Sequence, residues 1–414
     1  MKVMVMGAGV IGVTTAYCLL KDGHEVTVLE RNAGAAEETS ATNAGLIAPG
    51  HAYAWASPKA PAMLLKSLWR DDQALRFKPR LDPRLWRWSL SFLRQCTAAR
   101  ARANTLRKHR LCLYAQAAFN EMVAETGVAY DGENRGLLYL YRNARDFDQS
   151  VAKTAILSGG GQDLRAVDRD EIARIDPALA PVKDKLAGAI YCPTDASGDA
   201  RLFTQGLAEA CTGMGGRFLY GTAIRGIETE GDQVVRVATD RGEERAEVYV
   251  MALGCESPLL ARRLGVRLPI YPVKGYSVTL PVEAGHSPPA IGGVDEGNLV
   301  AYARMGERLR ITATAEFAGY DLAHKPADFR HMLAAARDLF PAGGQWDRPD
   351  YRACLRPMTP EGSPIFGLGA QRNLYYNVGH GHMGWTMACG AARITADLVA
   401  GRDTEIPIEG MTLR

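Results

Sequence analysis

Near the amino terminus a short apolar run and an amphipathic stretch enclose Gly7-Ala8-Gly9-Val10-Ile11-Gly12, and Glu30 follows eighteen residues after the last glycine. Glycines at this spacing meet three steric needs. Gly7 allows a tight turn, Gly9 lets the backbone approach a pyrophosphate, and Gly12 lets a helix lie close against the strand before it. Residues 2–6 (KVMVM) suit a strand buried on both faces of a parallel sheet. Ile11, Ala16, Leu19 and Leu20 then recur at helical spacing, and Asp22-Gly23 ends the helix. With 26–29 (VTVL) as the next strand, the first thirty residues form a βαβ unit for a dinucleotide. Its helix N-terminus offers free N–H donors to the pyrophosphate, and Glu30 accepts hydrogen bonds from a ribose diol. Val10, Ile11 and Arg31 flank these positions and join them as cofactor contacts. A Gly-rich turn of some other α/β protein is the competing reading. The pattern does not separate FAD from NAD, since both carry the adenosine-pyrophosphate half.

A chain of 414 residues with 47% hydrophobic content can bury one large core or two smaller ones, so two domains are expected. Eight cysteines are scattered without a CxxC pair, which fits reduced thiols in a cytoplasmic setting. Glycines break the opening apolar run too early for a signal peptide, and no run of about eighteen apolar residues predicts a membrane-spanning helix. The formal net charge is only +3, and no nucleic-acid partner is expected. Between Lys59 and Arg110, however, fourteen Lys/Arg stand against three Asp/Glu, with Trp69, Trp86 and Trp88 among leucines in a mostly helical pattern. Such a segment is either a solvated helical face or a peripheral contact with the inner face of an anionic membrane, where quinone is available.

Further along, 136–142 reads as a strand, the glycines at 159–161 end a helix, and a helix starts near Asp199 with Leu202, Phe203, Leu207 and Cys211 on one face. From Arg217 to Gly254 short β runs form a meander that returns to the sheet. Residues 274–317 are again strand-like. Residues 374–378 (LYYNV) form an apolar strand, 379–384 are Gly-rich, and 385–400 read as a helix.

Three stretches carry a family resemblance: the opening fingerprint, Glu38-Thr39-Ser40-Ala41-Thr42-Asn43-Ala44-Gly45, and Gly379-His380-Gly381-His382-Met383-Gly384-Trp385-Thr386-Met387-Ala388-Cys389-Gly390. Together they resemble the small subunit of bacterial D-amino acid dehydrogenase and, more broadly, the D-amino acid oxidase and glycine oxidase superfamily of flavoproteins. The resemblance runs over nearly the whole chain. It implies an α/β fold with a glutathione-reductase-like FAD-binding Rossmann domain from 1–95, 190–265 and 350–414. Inserted in it is an α+β substrate domain of mixed β-sheet, from 96–189 and 266–349. It further implies that Thr39, Ser40, Asn43, Ala44, Gly45 and Leu46 approach the cofactor from one side, with simple loop capping as the alternative for Thr39 and Ser40. Gly381, His382, Met383, Gly384, Trp385 and Thr386 approach from the other. Reduced flavin gathers negative charge at its N1–C2=O edge, which a glycine-led helix N-terminus is suited to face. Ala223 and Ile224 resemble the place where backbone meets adenine, and Ala252 and Gly254 the turn beneath the nucleotide.

Cys354-Leu355-Arg356-Pro357 resembles the element whose arginine clamps a substrate carboxylate, a task for bidentate guanidinium geometry. Tyr302 and Arg304, with Tyr276 on a neighbouring strand, are expected on the substrate face, with buried tyrosine packing as the alternative. His380 and His382 have no third ligand at suggestive spacing, so no metal is expected, and His382 is placed beside the flavin. Cys354 is read as a small buried side chain rather than a flavin tether. Leu46, His51, Cys354, His382 and Met383 depart from the dehydrogenase pattern in segments placed near the flavin, which weighs against D-alanine as the preferred substrate.

The expected reaction is FAD-dependent oxidation of an amino acid, D in configuration, to an imine and then a 2-oxo acid, with a quinone or an electron-transfer protein as acceptor. Alternatives are a dehydrogenase of a cyclic secondary amine such as D-proline or D-hydroxyproline, or an oxygen-using oxidase. From other classes come an NAD-dependent reductase, against which no second GxGxxG follows a strand, and a flavin-binding assembly subunit, against which Arg356 stands.

Overall fold

The computed structural model describes residues 1–67 and 75–413; Trp69 lies outside them. A six-stranded sheet runs in the order Ile365–Leu368, Leu374–Val378, Val248–Met251, Lys2–Met6, Glu25–Leu29, Arg217–Leu219. Lys2–Met6 is central and pairs in parallel on both sides, which explains its unbroken apolar run: Val3, Met4, Val5 and Met6 are all buried. Helix Val10–Lys21 covers one face and packs against Ala200–Gly213 and Gly384–Val399. The latter also packs on the long helix Ala98–Thr126, closely enough that a Cβ on Gly390 would stand 2.8 Å from Ala115 Cα. The meander is present, but Ile224–Glu230, Gln233–Thr239 and Gly242–Glu244 form a separate three-stranded sheet before Val248–Met251 returns.

The second large sheet is nine-stranded and mixed. Its order is Asp350–Met358, Tyr271–Pro281, Arg308–Phe317, Val300–Met305, Gly292–Asp295, Leu137–Tyr141, Gly188–Cys192, Arg165–Val167, and Leu75–Phe77 pairs with Arg308–Phe317. One face is covered by helix Arg330–Leu339 through Met332, Ala335, Ala336 and Leu339. The other forms the floor of a large cavity.

Several expectations need correction. Leu75–Phe77 and Asp350–Met358 lie in segments assigned to the dinucleotide unit yet hydrogen-bond into the nine-stranded sheet. Ala98–Thr126 lies in a segment assigned to the substrate unit yet packs on the helices of the six-stranded sheet. Position along the chain does not say which sheet a strand joins; the ladder partner does. Leu202 is 38% exposed, one step off the buried face of Phe203, Leu207 and Cys211, although Asp199 caps that helix as expected.

Candidate functional site

A cavity of about 1530 Å³ lies between the two large sheets. Its nucleotide end is built from the glycine fingerprint. Gly7 has φ +104°, open to glycine alone in practice, and a Cβ on Gly12 would stand 1.8 Å from the Gly7 carbonyl oxygen. Gly12 is therefore a packing glycine and does not line the cavity. Among the described residues beyond its chain neighbours, a Cβ on Gly9 would meet only Ser40 Oγ, at 3.4 Å, so protein packing leaves this position open to a ligand. Ser40 Oγ accepts from Val10 N at 3.0 Å, a capping role, while also lining the cavity. Glu30 closes the second strand; its Oε2 accepts from Ala8 N at 2.9 Å and its Oε1 from Asn32 N and Nδ2. These bonds fix the carboxylate and leave lone pairs toward the cavity. Arg31 pairs with Glu38 at 2.6 Å on the rim, and Thr39 Oγ1 donates to the Leu355 carbonyl. Ile11, Asn43, Ala44, Leu46, Ala223, Ile224, Ala252 and Gly254 all line the cavity. Gly45 does not, correcting the expectation. Its φ is +79° and a Cβ there would stand 2.2 Å from Met305 Cε, so it serves close packing.

Toward the middle, helix Gly384–Val399 begins at the cavity wall without a side-chain cap, after the short turn Gly381–Met383. Gly379 and Gly381 both have positive φ, which bends the strand end into that helix. Thr386 Oγ1 accepts from Ala48 N and donates to the Leu46 carbonyl, tying the helix start to the segment expected to face it. Asn377 Oδ1, His380 Nε2, His382 Nε2 and Trp385 Nε1 are buried without a hydrogen-bond partner among the described residues. Buried polar atoms are rarely left unpaired, so four of them beside an uncapped helix N-terminus fit the polar edge of a bound cofactor. The glycine cradle, Glu30 and this edge together fit FAD. His382 stacks on Trp55 at 4.6 Å. Burial, with Lys108, Arg356 and His51 adding positive charge, holds its pKa well below the usual histidine value. Burial alone pushes His380 down to about 3. Both rings are neutral at ordinary pH.

At the substrate end Arg356 lies across Gly275 of the neighbouring strand, where a Cβ would stand 2.5 Å from its guanidinium carbon. Its Nη1 donates to the Thr314 carbonyl at 2.6 Å. That carbonyl is available because the ladder shifts register between Lys274 and Tyr276, and Thr314 has φ +67°, unusual for a β-branched residue. Among the described residues no carboxylate forms an ion pair with Arg356, whose remaining donors stay available to an anion. Tyr276 lines the cavity, but its hydroxyl donates to Glu316 Oε2 at 2.8 Å, within a group that includes Lys78 and Lys274.

Tyr302 and Arg304 are not in the cavity. Ala301 faces it, so Tyr302, one residue on, points through the sheet and packs edge-on to Phe340 at 4.7 Å. Arg304 is exposed, and its Nε donates to the Gly306 carbonyl. Cys354 lines the cavity together with Cys255.

A polar group that no motif in the sequence marks also stands at this end. His51 Nε2 lies 2.6 Å from Glu296 Oε1, and its ring stacks on Tyr139 at 5.0 Å. The Tyr139 hydroxyl donates to Asp195 Oδ2, and Gly50 N donates to Asp195 Oδ1. The alternation His51, Tyr53, Trp55 was a usable signal; nothing in the spacing of Glu296 was.

Residues 2–398 match the family described as FAD dependent oxidoreductase. The chain is 47% identical over 412 residues to D-amino acid dehydrogenase 2 of Mesorhizobium japonicum, covering 99% of both chains. It is also 47% identical over 414 residues to D-amino acid dehydrogenase of Paramagnetospirillum magneticum, covering 99% of this chain and 98% of that one. Among solved structures it resembles glycine oxidase from Geobacillus kaustophilus, with TM-score 0.75, 22% identity, and coverage of 100% of this chain and 98% of that one. L-proline dehydrogenase from P. horikoshii also has TM-score 0.75, at 18% identity, covering 99% and 96%. At these identities the structural likeness speaks for the fold.

Proposed function

The chain belongs to the family of FAD-dependent oxidoreductases, and from that premise we propose that it oxidises a D-amino acid at its α-carbon. The product is an imine, which water converts to a 2-oxo acid and ammonia. The observation that carries this reading is Arg356: a guanidinium without an acidic partner among the described residues, fixed on the cavity wall between the Thr314 carbonyl and Gly275. The names of the relatives support the D configuration.

Bound FAD supplies the acceptor for the hydride leaving Cα. The protein's own contribution is placement. Arg356 anchors the carboxylate through paired N–H donors, while neutral His382 keeps its Nε2 toward the cofactor's polar edge. Trp55 holds that ring flat by stacking and narrows access of water. The amine must be neutral for its lone pair to form the C=N bond as the Cα–H bond breaks, so activity should rise with pH as the substrate ammonium loses its proton. In this reading the six-stranded sheet carries the dinucleotide and the nine-stranded sheet the substrate. The test is a screen of D- and L-amino acids with an artificial dye acceptor on flavin-loaded protein. Turnover of D-amino acids that collapses in Arg356→Ala supports the reading; turnover confined to L-amino acids overturns it.

The proposal extends to an acceptor dissolved in or bound to a membrane, such as a quinone. Among the described residues no helix is long and apolar enough to cross a membrane. Helix Pro83–Gln95 instead buries Leu85, Trp88 and Phe92 and exposes Trp86, Leu90 and Leu93 beside Arg84, Arg87 and Arg94. That face suits the surface of an anionic bilayer. Binding to anionic vesicles should weaken with salt and fall when the three arginines are neutralised together; no binding at low salt would leave only a solvated face.

A further inference from the structure

Beyond Arg356 the cavity continues across the nine-stranded sheet to a second charged group. Glu296 stands just past strand Gly292–Asp295, in the turn leading to Val300–Met305. The ladders pair Asp295 with both Val300 and Leu140, and Ala301 with Thr312. The ladders set Thr312, Ala301, Val294 and Tyr139 in one row, and all four line the cavity, as do Thr314 and Glu296. Thr314 is where Arg356 rests. Two strand spacings, about 10 Å, separate the backbone at Thr312 from that at Val294, and Thr314 and Glu296 each stand two residues further along. A substrate held at Arg356 by its carboxylate spans that gap with a side chain as long as that of lysine or arginine, not with a methyl group.

The surroundings of Glu296 are those of a cation receptor. Its side chain is 16% exposed, its Oε1 meets His51, and its Oε2 accepts no hydrogen bond from the described residues. Tyr53, Tyr139 and Tyr141 all line the cavity around it, and burial, with the negative charge of Glu296 adding to it, raises the pKa of each hydroxyl. Lys153 Nζ lies 3.7 Å from the centre of the Tyr53 ring, so one wall already holds an ammonium. Lys153 is exposed, and its charge acts on Glu296 without an ion pair between them among the described residues, so Oε2 is the carboxylate oxygen left for an incoming charge.

We propose that this end of the cavity is a side-chain subsite for D-amino acids ending in an ammonium or guanidinium group, with Glu296 as the specificity-determining carboxylate and the tyrosine faces as its walls. Lys153, at the rim, yields the Tyr53 face to the arriving side chain. The inference rests on the reading given under Proposed function, since Arg356 must hold the other end of the same molecule.

The test uses flavin-loaded protein and dye-linked rates with D-lysine, D-norleucine, D-glutamate and D-alanine. D-Norleucine nearly matches D-lysine in length and lacks its ammonium. The expected result is a kcat/KM for D-lysine about tenfold or more above that for D-norleucine, a ratio that falls close to one in Glu296→Gln. If the variant does not retain flavin, the wild-type ratios decide alone. D-Norleucine turned over as well as D-lysine overturns the subsite, and so does a preference for D-glutamate, which would hand the role to Lys153. Absence of turnover on every D-amino acid, with flavin bound, overturns the reaction itself and the subsite with it.

Discussion

The nucleotide end of the cavity is walled mainly by backbone and glycine from the first strand, turn and helix, whereas the substrate end is walled by side chains from strands far apart in the chain. At the first end, what matters is the absence of a side chain: Gly7, Gly9 and Gly12 each leave out a Cβ for a different reason. At the second, a charge is held in place by groups that sequence does not bring near one another. Arg356 needs Gly275 beneath it and the Thr314 carbonyl beside it; Glu296 needs His51. Steric damage at the first end should therefore cost fold or cofactor, and damage at the second should cost rate.

The largest effect should come from Gly12→Ala. Its Cβ would stand 1.8 Å from a backbone oxygen that cannot move without dismantling the turn. A loss of about 4 kcal/mol or more, or no soluble protein, is expected in thermal unfolding. Gly9→Val sharpens the contrast, because among the described residues beyond its chain neighbours only Ser40 Oγ lies within 4 Å of the Gly9 Cβ position. That variant should fold and purify without flavin absorbance. Normal flavin content in it would break the assignment of this end.

At the substrate end, Arg356→Ala should keep its flavin and lose about 100-fold in kcat/KM, since a charge-assisted pair in a dry site contributes roughly 3 kcal/mol. Arg356→Lys should recover only part of this, because an ammonium cannot form the fork. Replacing the substrate carboxylate by an amide should cripple wild type and add little to the alanine variant; equal losses in both would move the clamp elsewhere.

A pH effect of intermediate size is expected from Asp195. Burial raises its pKa from 3.8 to about 6, against the hydrogen bonds from Tyr139 and Gly50. The folded state thus holds the proton more tightly than the unfolded chain. The stability this contributes is complete below 3.8 and is lost as pH rises through about 6. Chemical denaturation of wild type and Asp195→Asn should show the wild type losing stability relative to the variant over that window. A constant difference would show that the carboxyl titrates normally.

The smallest effects are expected where residues placed on the substrate face by the sequence reading turned out to lie elsewhere. Tyr302→Phe removes a buried hydroxyl that has no partner among the described residues, so stability should hold or rise and kcat/KM should not change. Arg304→Ala removes an exposed side chain and should stay within about 0.5 kcal/mol in thermal unfolding. A large loss of activity in either would return that strand to the substrate face.

The sequence by itself determined the βαβ unit, the glycine turn around Gly7 and Gly9 with Glu30 at the end of the next strand, and the glycine-led start of the helix at Gly384. Each depends on contacts between near neighbours or on a steric demand that only one residue type meets, and such demands are written locally. Only the tertiary structure decided which sheet Leu75–Phe77 and Asp350–Met358 would join, that Ala301 and not Tyr302 faces the cavity, and that His51 meets Glu296 across 245 residues of chain. Side chains alternate with a period of two, so one residue of register moves a tyrosine from the site to the core. That register is set by ladder bonds to strands distant in sequence.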